Sequence, residues 1–188
     1  AGERELSHTA VRLDGVELEY DVVGSGEPLL LIHGGFLADA FFPLLAEPRI
    51  TSSHRVISYH RRGYAGSSRA TAPFTIGEQA ADARALLRHL GISRAHVAGH
   101  SSGGVIAIQL SLDAPNLVGS LALLEPGLLF LVPSGPMFQE LIAPLRGMYQ
   151  SGDRMGALDG FLSQVAGPAY RELLRKFWPQ GAFGLAIA

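Results

Sequence analysis

The chain alternates short apolar runs with segments of helical periodicity. Residues 29–32 and 118–124 are almost entirely apolar, as is typical of strands that are buried on both faces. Residues 55–59 and 95–99 are predicted to form two further strands. Because these strands alternate with helical segments, the pattern predicts an α/β fold with a mostly parallel sheet and right-handed crossovers.

The amino-terminal part of the chain has a different pattern. Residues 5–13 and 16–23 alternate partly between apolar and polar positions, and Asp14 and Gly15 separate them. An Asp-Gly pair between two such segments favours a tight turn. An antiparallel hairpin is therefore predicted at the start of the sheet.

Three helices are predicted between the strands. Thr75 and Glu78 have the spacing of a capping box, and the helix that they begin is expected to end before Gly91. A second helix is predicted at residues 102–112, and a short one at residues 39–47.

The pattern changes after Glu125, where prolines separate short helical segments such as residues 137–141 and 170–178. We find no segment there that resembles the earlier strands. The prediction is a core at residues 1–125 and a helical segment at residues 126–188.

Composition narrows the class of protein. Only 17% of the 188 residues are charged, against about 25% in ordinary domains, which indicates surfaces that other protein covers. The formal charge of −2 gives no basic face for nucleic acid, and the absence of cysteine excludes disulfides and thiolate chemistry.

The longest apolar stretch, residues 121–133, is too short to cross a bilayer. With no signal peptide visible, we expect a cytoplasmic protein without membrane contact.

One motif carries chemistry. The run Gly99-His100-Ser101-Ser102-Gly103 matches G-x-S-x-G and lies between a predicted strand and a predicted helix. This context predicts a tight turn that exposes the Ser101 hydroxyl as a nucleophile. The N–H of Ser102 at the helix start is a candidate oxyanion donor, with a second donor expected from Gly35 or, as an alternative, Phe36.

The chain resembles the α/β-hydrolase fold family, in its branch with a serine nucleophile. The resemblance rests on four runs in the family's order, which are Gly24 to Gly35, Tyr59 to Ser68, Gly99 to Gly104, and Ala114 to Pro126. It implies that Ser101 is the nucleophile, that Gly35 and Ser102 form the oxyanion hole, and that residues after Glu125 begin a helical lid.

Two positions separate this sequence from parts of that family. His60 stands where the family more often has Asp, and we expect it to be structural. Ser101 stands where haloalkane dehalogenases and epoxide hydrolases need a carboxylate nucleophile, which argues against those two branches. Hydrolysis of an ester, a lactone, an amide or a C–C bond by the serine stays open, and we expect an ester or related acyl substrate. The neighbouring Arg61 and Arg62 could bind an anionic group, but the interpretation that we favour is a solvated or salt-bridged pair.

The general base that the family places after the nucleophile is missing. None of the seven histidines follows Ser101, so the chain looks like the amino-terminal part of a hydrolase without its catalytic histidine. Glu125, at the end of a predicted strand, is a candidate for the triad acid. The interpretation that we favour is that Glu125 simply begins the lid.

Two functions remain open. The first is a serine hydrolase acting on a small acyl substrate, without a cofactor or metal, since the sequence contains no metal cluster, phosphate loop or dinucleotide motif. An acyltransferase or peroxidase built on the same triad is not separable from it by sequence. The second is a non-catalytic protein of the same fold that binds a ligand or partner, or an inactive fragment. In either case the strand ending at Leu124 is expected to form an uncovered sheet edge through which copies self-associate.

Overall fold

The computed structural model describes residues 8–69, 73–128 and 133–172. The chain divides into two compact units, with the boundary after Gly127. The predicted core and helical segment meet two residues earlier, at 125 and 126.

The first unit contains a six-stranded sheet that confirms the predicted fold class. Its strands lie in the order β1-β2-β4-β3-β5-β6. The first three strands in this order are paired antiparallel, and the remaining pairs are parallel. The strands are β1 (Thr9–Leu13), β2 (Val16–Val23), β3 (Glu27–Ile32), β4 (His54–Tyr59), β5 (Ala95–His100) and β6 (Val118–Leu124).

The predicted hairpin joins β1 and β2. Asp14 and Gly15 both have positive φ, at 47° and 87°, which is the backbone of the tight turn that an Asp-Gly pair favours. The part of the predicted first strand before His8 lies outside the described residues.

Two long helices pack on this sheet. In α3 (Ile76–His89), the Thr75 hydroxyl accepts from the Glu78 N–H, and the Glu78 carboxylate accepts from the Thr75 N–H. The predicted capping box is thus confirmed. α4 (Ser102–Asp113) follows β5 directly. Their apolar faces form the main core with the strands, including Leu30, Ile57, Ala83, Leu87, Val97 and Ile106.

The short helix predicted at residues 39–47 is present but shorter. α1 (Phe42–Leu45) lies inside that range, and a second short helix, α2 (Pro48–Thr51), follows it. Pro48 explains the end of α1 before Glu47, because a proline disfavours the helical conformation of the residue before it. Glu47 accordingly has a ψ of 109°, and its carboxylate caps α2 by accepting from the Arg49 N–H.

The second unit contains α5 (Gly135–Gln150) and α6 (Arg154–Ala166), which pack against each other. The predicted helical segment at 137–141 lies inside α5. The segment predicted at 170–178 lies mostly outside the described residues, which end at 172. Within the described ranges, no helix is both long and apolar enough to cross a bilayer.

β6 lies at one edge of the described sheet, as the sequence predicts. Its leucines are unusually open for a parallel strand, and Leu123 is 40% exposed. Unpaired strand edges with apolar side chains are templates for association.

We expect the 188-residue chain to self-associate through β6. Replacing Leu123 by Lys should lower the apparent mass in light scattering, because a charge on an edge strand opposes pairing. Leu112→Lys is the matched control, since Leu112 is 71% exposed near the end of α4 and is not part of the edge strand. A parent chain that is a monodisperse monomer would contradict the expectation.

Candidate active site

Ser101 occupies a strained turn between β5 and α4. Its φ of 52° and ψ of −122° lie in a region that costs an L-residue about 1–3 kcal/mol. Three backbone hydrogen bonds hold this turn. The Ser101 N–H donates to the Leu124 carbonyl at 3.0 Å, and the Ser101 carbonyl accepts from the N–H groups of Gly104 and Gly127, both at 2.9 Å.

The turn requires glycines on both sides of the serine. A Cβ at Gly99 would lie 2.5 Å from the carbonyl oxygen of Gly103. A Cβ at Gly103 would overlap the carbonyl oxygens of Ile32 and His33 at the end of β3. The two glycines therefore allow α4 to start against the sheet, which leaves Ser101 at the carboxyl ends of the parallel strands.

The predicted oxyanion loop follows β3 and touches this turn. A Cβ at Gly34 would lie 3.1 Å from the Cβ of Ser101. Phe36 has a φ of 68°, and the N–H of Leu37 donates to the Gly35 carbonyl at 2.9 Å. These two features define a γ-turn of the rarer, strained type, which the sequence did not reveal.

The two N–H groups predicted to face an oxyanion have no internal acceptor. Among the described residues, neither the Gly35 N–H nor the Ser102 N–H donates to another protein atom. Ser102 is the first residue of α4, where N–H groups are free and the helix dipole favours negative charge. Phe36 adjoins the same loop and is half-buried.

His33 supports the oxyanion loop as a neutral group. Its Nε2 accepts from the Arg61 N–H at 3.0 Å, so Nδ1 carries the proton and donates to the Gly34 carbonyl at 2.7 Å. Burial and the nearby Arg61 charge hold the pKa of His33 well below its ordinary value. With both nitrogens in use, His33 is a structural residue.

His60 lies between two carboxylates, which explains a histidine at this position. Its Nδ1 and Nε2 donate to Glu19 and Asp39, both at 2.9 Å. Burial alone would lower the pKa of His60, but these two hydrogen bonds outweigh it and raise the pKa. These two hydrogen bonds join β2 to the segment after the predicted oxyanion loop, so His60 has the structural role expected from the sequence.

His8 adds a second imidazole to this group. Donor atoms of His8, Asp39 and His60 lie within 4.8 Å of one another, which is close enough to share a metal ion. Both nitrogens of His60 already bind carboxylates, however, and His8 Nδ1 pairs with Asp21 at 2.7 Å. The arrangement therefore favours a network of ion pairs.

No base contacts the candidate nucleophile. Within the described part of the chain, the Ser101 hydroxyl has no hydrogen-bond partner, and His100 makes no bond to it. Glu125, the candidate acid, is exposed just beyond β6 with a φ of 46°. Its carboxylate has no partner among the described residues.

The two arginines of the next loop differ sharply. Arg62 donates twice to the Asp82 carboxylate, each time at 2.6 Å, which is the expected salt bridge. The same expectation is wrong for Arg61, whose side chain is buried against neutral groups. Sequence alone did not separate them because adjacent arginines in a loop carry no signal of which one turns inward.

Comparison with known proteins assigns the family. The family model described as alpha/beta hydrolase fold matches residues 27–179. The chain belongs to the alpha/beta hydrolase fold family. A fluoroacetate dehalogenase of Burkholderia sp. is 34% identical over 136 residues, which cover 70% of this chain and 43% of that protein. The chain spans less than half of the length of several other curated relatives as well.

Two solved structures of this family cover nearly all of the chain. A hydrolase from Pseudomonas aeruginosa PA01 has a TM-score of 0.68 and 26% identity, covering 96% of this chain and 70% of the other. Est816, described as an N-acyl homoserine lactone degrading enzyme, has a TM-score of 0.62 and 27% identity, covering 94% and 74%. Both are therefore similar to this chain in overall fold.

The close approach at Gly103 predicts a large effect of a single methyl group. Gly103→Ala should destabilise the protein by about 2 kcal/mol or more, because the new Cβ meets rigid backbone oxygens. Gly77→Ala in α3 is the matched control, since its Cβ would meet nothing closer than 3.8 Å. Urea unfolding measures both variants, and equal stabilities would contradict the packing described here.

The His60 ion pairs predict a pH-dependent stability. Asp39 has its pKa lowered by the His60 hydrogen bond, and in Glu19 the bonds from His60 and the Gly66 N–H outweigh burial and lower the pKa. The carboxylate contribution is lost as pH falls through their lowered pKa values, and the His60 contribution is lost as pH rises through its raised pKa. The network is therefore fully formed between about pH 4.5 and 6.5.

His60→Asn should cost about 2 kcal/mol within that window and less at pH 9, as measured by urea unfolding. His60→Asp should cost more than His60→Asn at pH 7, because it places a third carboxylate beside Glu19 and Asp39. His89→Asn is the control, since His89 is exposed and has no ion pair within the described residues. A cost of His60→Asn that does not change with pH would contradict the ion pairs.

Proposed function

We propose that this chain carries the nucleophile and the oxyanion hole of a serine hydrolase that acts on a carboxylic ester or a related acyl substrate. The single observation that carries the proposal is the strained turn at Ser101, beside which the N–H groups of Gly35 and Ser102 have no acceptor among the described residues. Strain at one residue persists only where surrounding structure enforces it, and it is concentrated at functional sites.

The chemistry follows from these groups. Ser101 Oγ attacks the carbonyl carbon and loses its proton to a base, while the carbonyl oxygen takes the negative charge and accepts from the two N–H groups. Collapse of this intermediate breaks the bond to the leaving alcohol, which takes up a proton. Water then hydrolyses the acyl-serine, giving a carboxylate and restoring the hydroxyl.

The choice of an acyl substrate rests on residue 101. The relatives include proteins named as a dehalogenase and an epoxide hydrolase, and those chemistries need a carboxylate nucleophile. A serine supports acyl transfer instead. The description of Est816 as a lactone-degrading enzyme agrees with this choice, since a lactone is a cyclic ester.

The proposal does not assign a general base to this chain. None of its histidines follows Ser101, and His33 and His60 are committed to structural bonds. Loss of the base of a serine triad reduces turnover by about 10⁶. Turnover by the chain alone should thus be close to zero, although the hydroxyl remains correctly held.

A fluorophosphonate probe and p-nitrophenyl acetate test the proposal. With imidazole present as the base, the parent chain should be labelled by the probe, and Ser101→Ala should reduce the labelling at least about tenfold. Added imidazole supplies the missing base, so it should accelerate p-nitrophenyl acetate cleavage by the parent more than by Ser101→Ala. Imidazole also cleaves p-nitrophenyl acetate by itself, and subtracting the rate measured with Ser101→Ala corrects for this background.

Ser111→Ala is the matched control for this experiment. Ser111 lies in the last part of α4, where its hydroxyl donates to the Ile108 carbonyl at 2.7 Å. It should be labelled like the parent. If the parent shows neither labelling nor turnover above Ser101→Ala, with and without imidazole, the hydrolase proposal fails and a non-catalytic binding protein is the better account.

A further inference from the structure

Arg61 is a buried cation, and the roles proposed above for Ser101, Gly35 and Ser102 do not account for its charge. Arg61 is only 3% exposed. Nη1 donates to Gln79 Oε1 at 2.6 Å, and Nη2 donates to the Gly34 carbonyl at 2.7 Å and to Ser102 Oγ at 3.4 Å. The guanidinium also lies 4.7 Å from the centre of the Tyr64 ring. All of these partners are neutral.

The positive charge of Arg61 is therefore not balanced within the described residues. No carboxylate there forms an ion pair with it, whereas the adjacent Arg62 pairs with Asp82. Arg61 Nε is buried without any hydrogen-bond partner. An unpaired buried charge is costly to a fold, so its retention needs an explanation.

The position of Arg61 supplies one. Gly34 immediately precedes Gly35 in the oxyanion loop, and Ser102 begins α4, so Nη2 touches both segments that carry the candidate oxyanion donors. The backbone N–H of Arg61 also binds His33 in the same loop. Arg61 thus links the two segments that carry the candidate oxyanion donors, and it places a positive charge beside both of them.

We propose that Arg61 is a positioning residue for the oxyanion hole and that its unbalanced charge makes this site bind carboxylate and tetrahedral anions. The proposal rests on the function proposed above for Ser101. A fixed charge in a poorly solvated site acts strongly on a nearby anion, because little solvent screens it. Arg61 donates to the Gly34 carbonyl and the Ser102 hydroxyl, so its hydrogen bonds leave the two N–H donors free to bond the substrate oxygen.

Gln79 provides a variant that removes the charge without removing Arg61. Gln79→Glu keeps the size of the side chain and places a carboxylate at the atom that now accepts from Nη1 at 2.6 Å. It should neutralise the guanidinium in place. A role of Arg61 in packing alone predicts no effect of this change on anion binding.

The test uses acetate and its neutral analogue acetamide as probes. Their dissociation constants are measured by NMR titration on Ser101→Ala, so no nucleophilic chemistry is needed, and on the same protein carrying Gln79→Glu, Arg61→Gln or Arg61→Lys. Acetate should bind more tightly than acetamide. Gln79→Glu and Arg61→Gln should each weaken acetate about tenfold and leave acetamide unchanged, and Arg61→Lys should retain most of the preference.

Two results would overturn the proposal. One is equal binding of acetate and acetamide by Ser101→Ala. The other is an acetate affinity that Gln79→Glu does not change, a result that holds even if Arg61→Gln fails to fold. Because these titrations omit the Ser101 hydroxyl, their outcome is independent of fluorophosphonate labelling, and failure of this proposal is distinguishable from failure of the hydrolase proposal.

Discussion

The contact between the start of α4 and the end of β3 is the constraint on which the site depends. Gly103 lies against the Ile32 and His33 carbonyls, and Gly99 lies against Gly103. With no side chain at either position, the helix begins close to the sheet, and Ser101 takes the strained backbone between them. The same contact brings the loop that continues from His33, which we propose to carry an oxyanion donor, next to the proposed nucleophile.

Several interactions around this contact fix the positions of backbone groups. His33 fixes Gly34, Arg61 binds the Gly34 carbonyl, and β6 binds the Ser101 N–H through Leu124. Farther out, His60 joins Glu19 to Asp39. Among the described residues, the N–H groups of Gly35 and Ser102 are thereby left without a protein acceptor, as is required of donors that stabilise developing negative charge.

Much of this arrangement could be predicted from residue patterns. The Asp14-Gly15 turn, the Thr75–Glu78 capping box and the G-x-S-x-G run each have a local physical cause, and each forms as predicted. The helix expected at residues 39–47 forms only over Phe42–Leu45, because Pro48 disfavours the helical conformation of Glu47. Two features could not be predicted: the contrast between Arg61 and Arg62, and the two carboxylates around His60. Both depend on residues distant in sequence that only the fold brings together.

The central claim is that the strained serine at residue 101 is the reactive group of this chain. Mass-spectrometric peptide mapping after reaction with a fluorophosphonate tests it most directly, because the fragment produced by trypsin between Arg94 and Arg146 contains both Ser101 and Ser102. Fragmentation of that peptide locates the adduct. With imidazole added as the base, the account predicts a single phosphonyl group on Ser101, and an adduct on Ser102 or on another serine, or none at all, would contradict it.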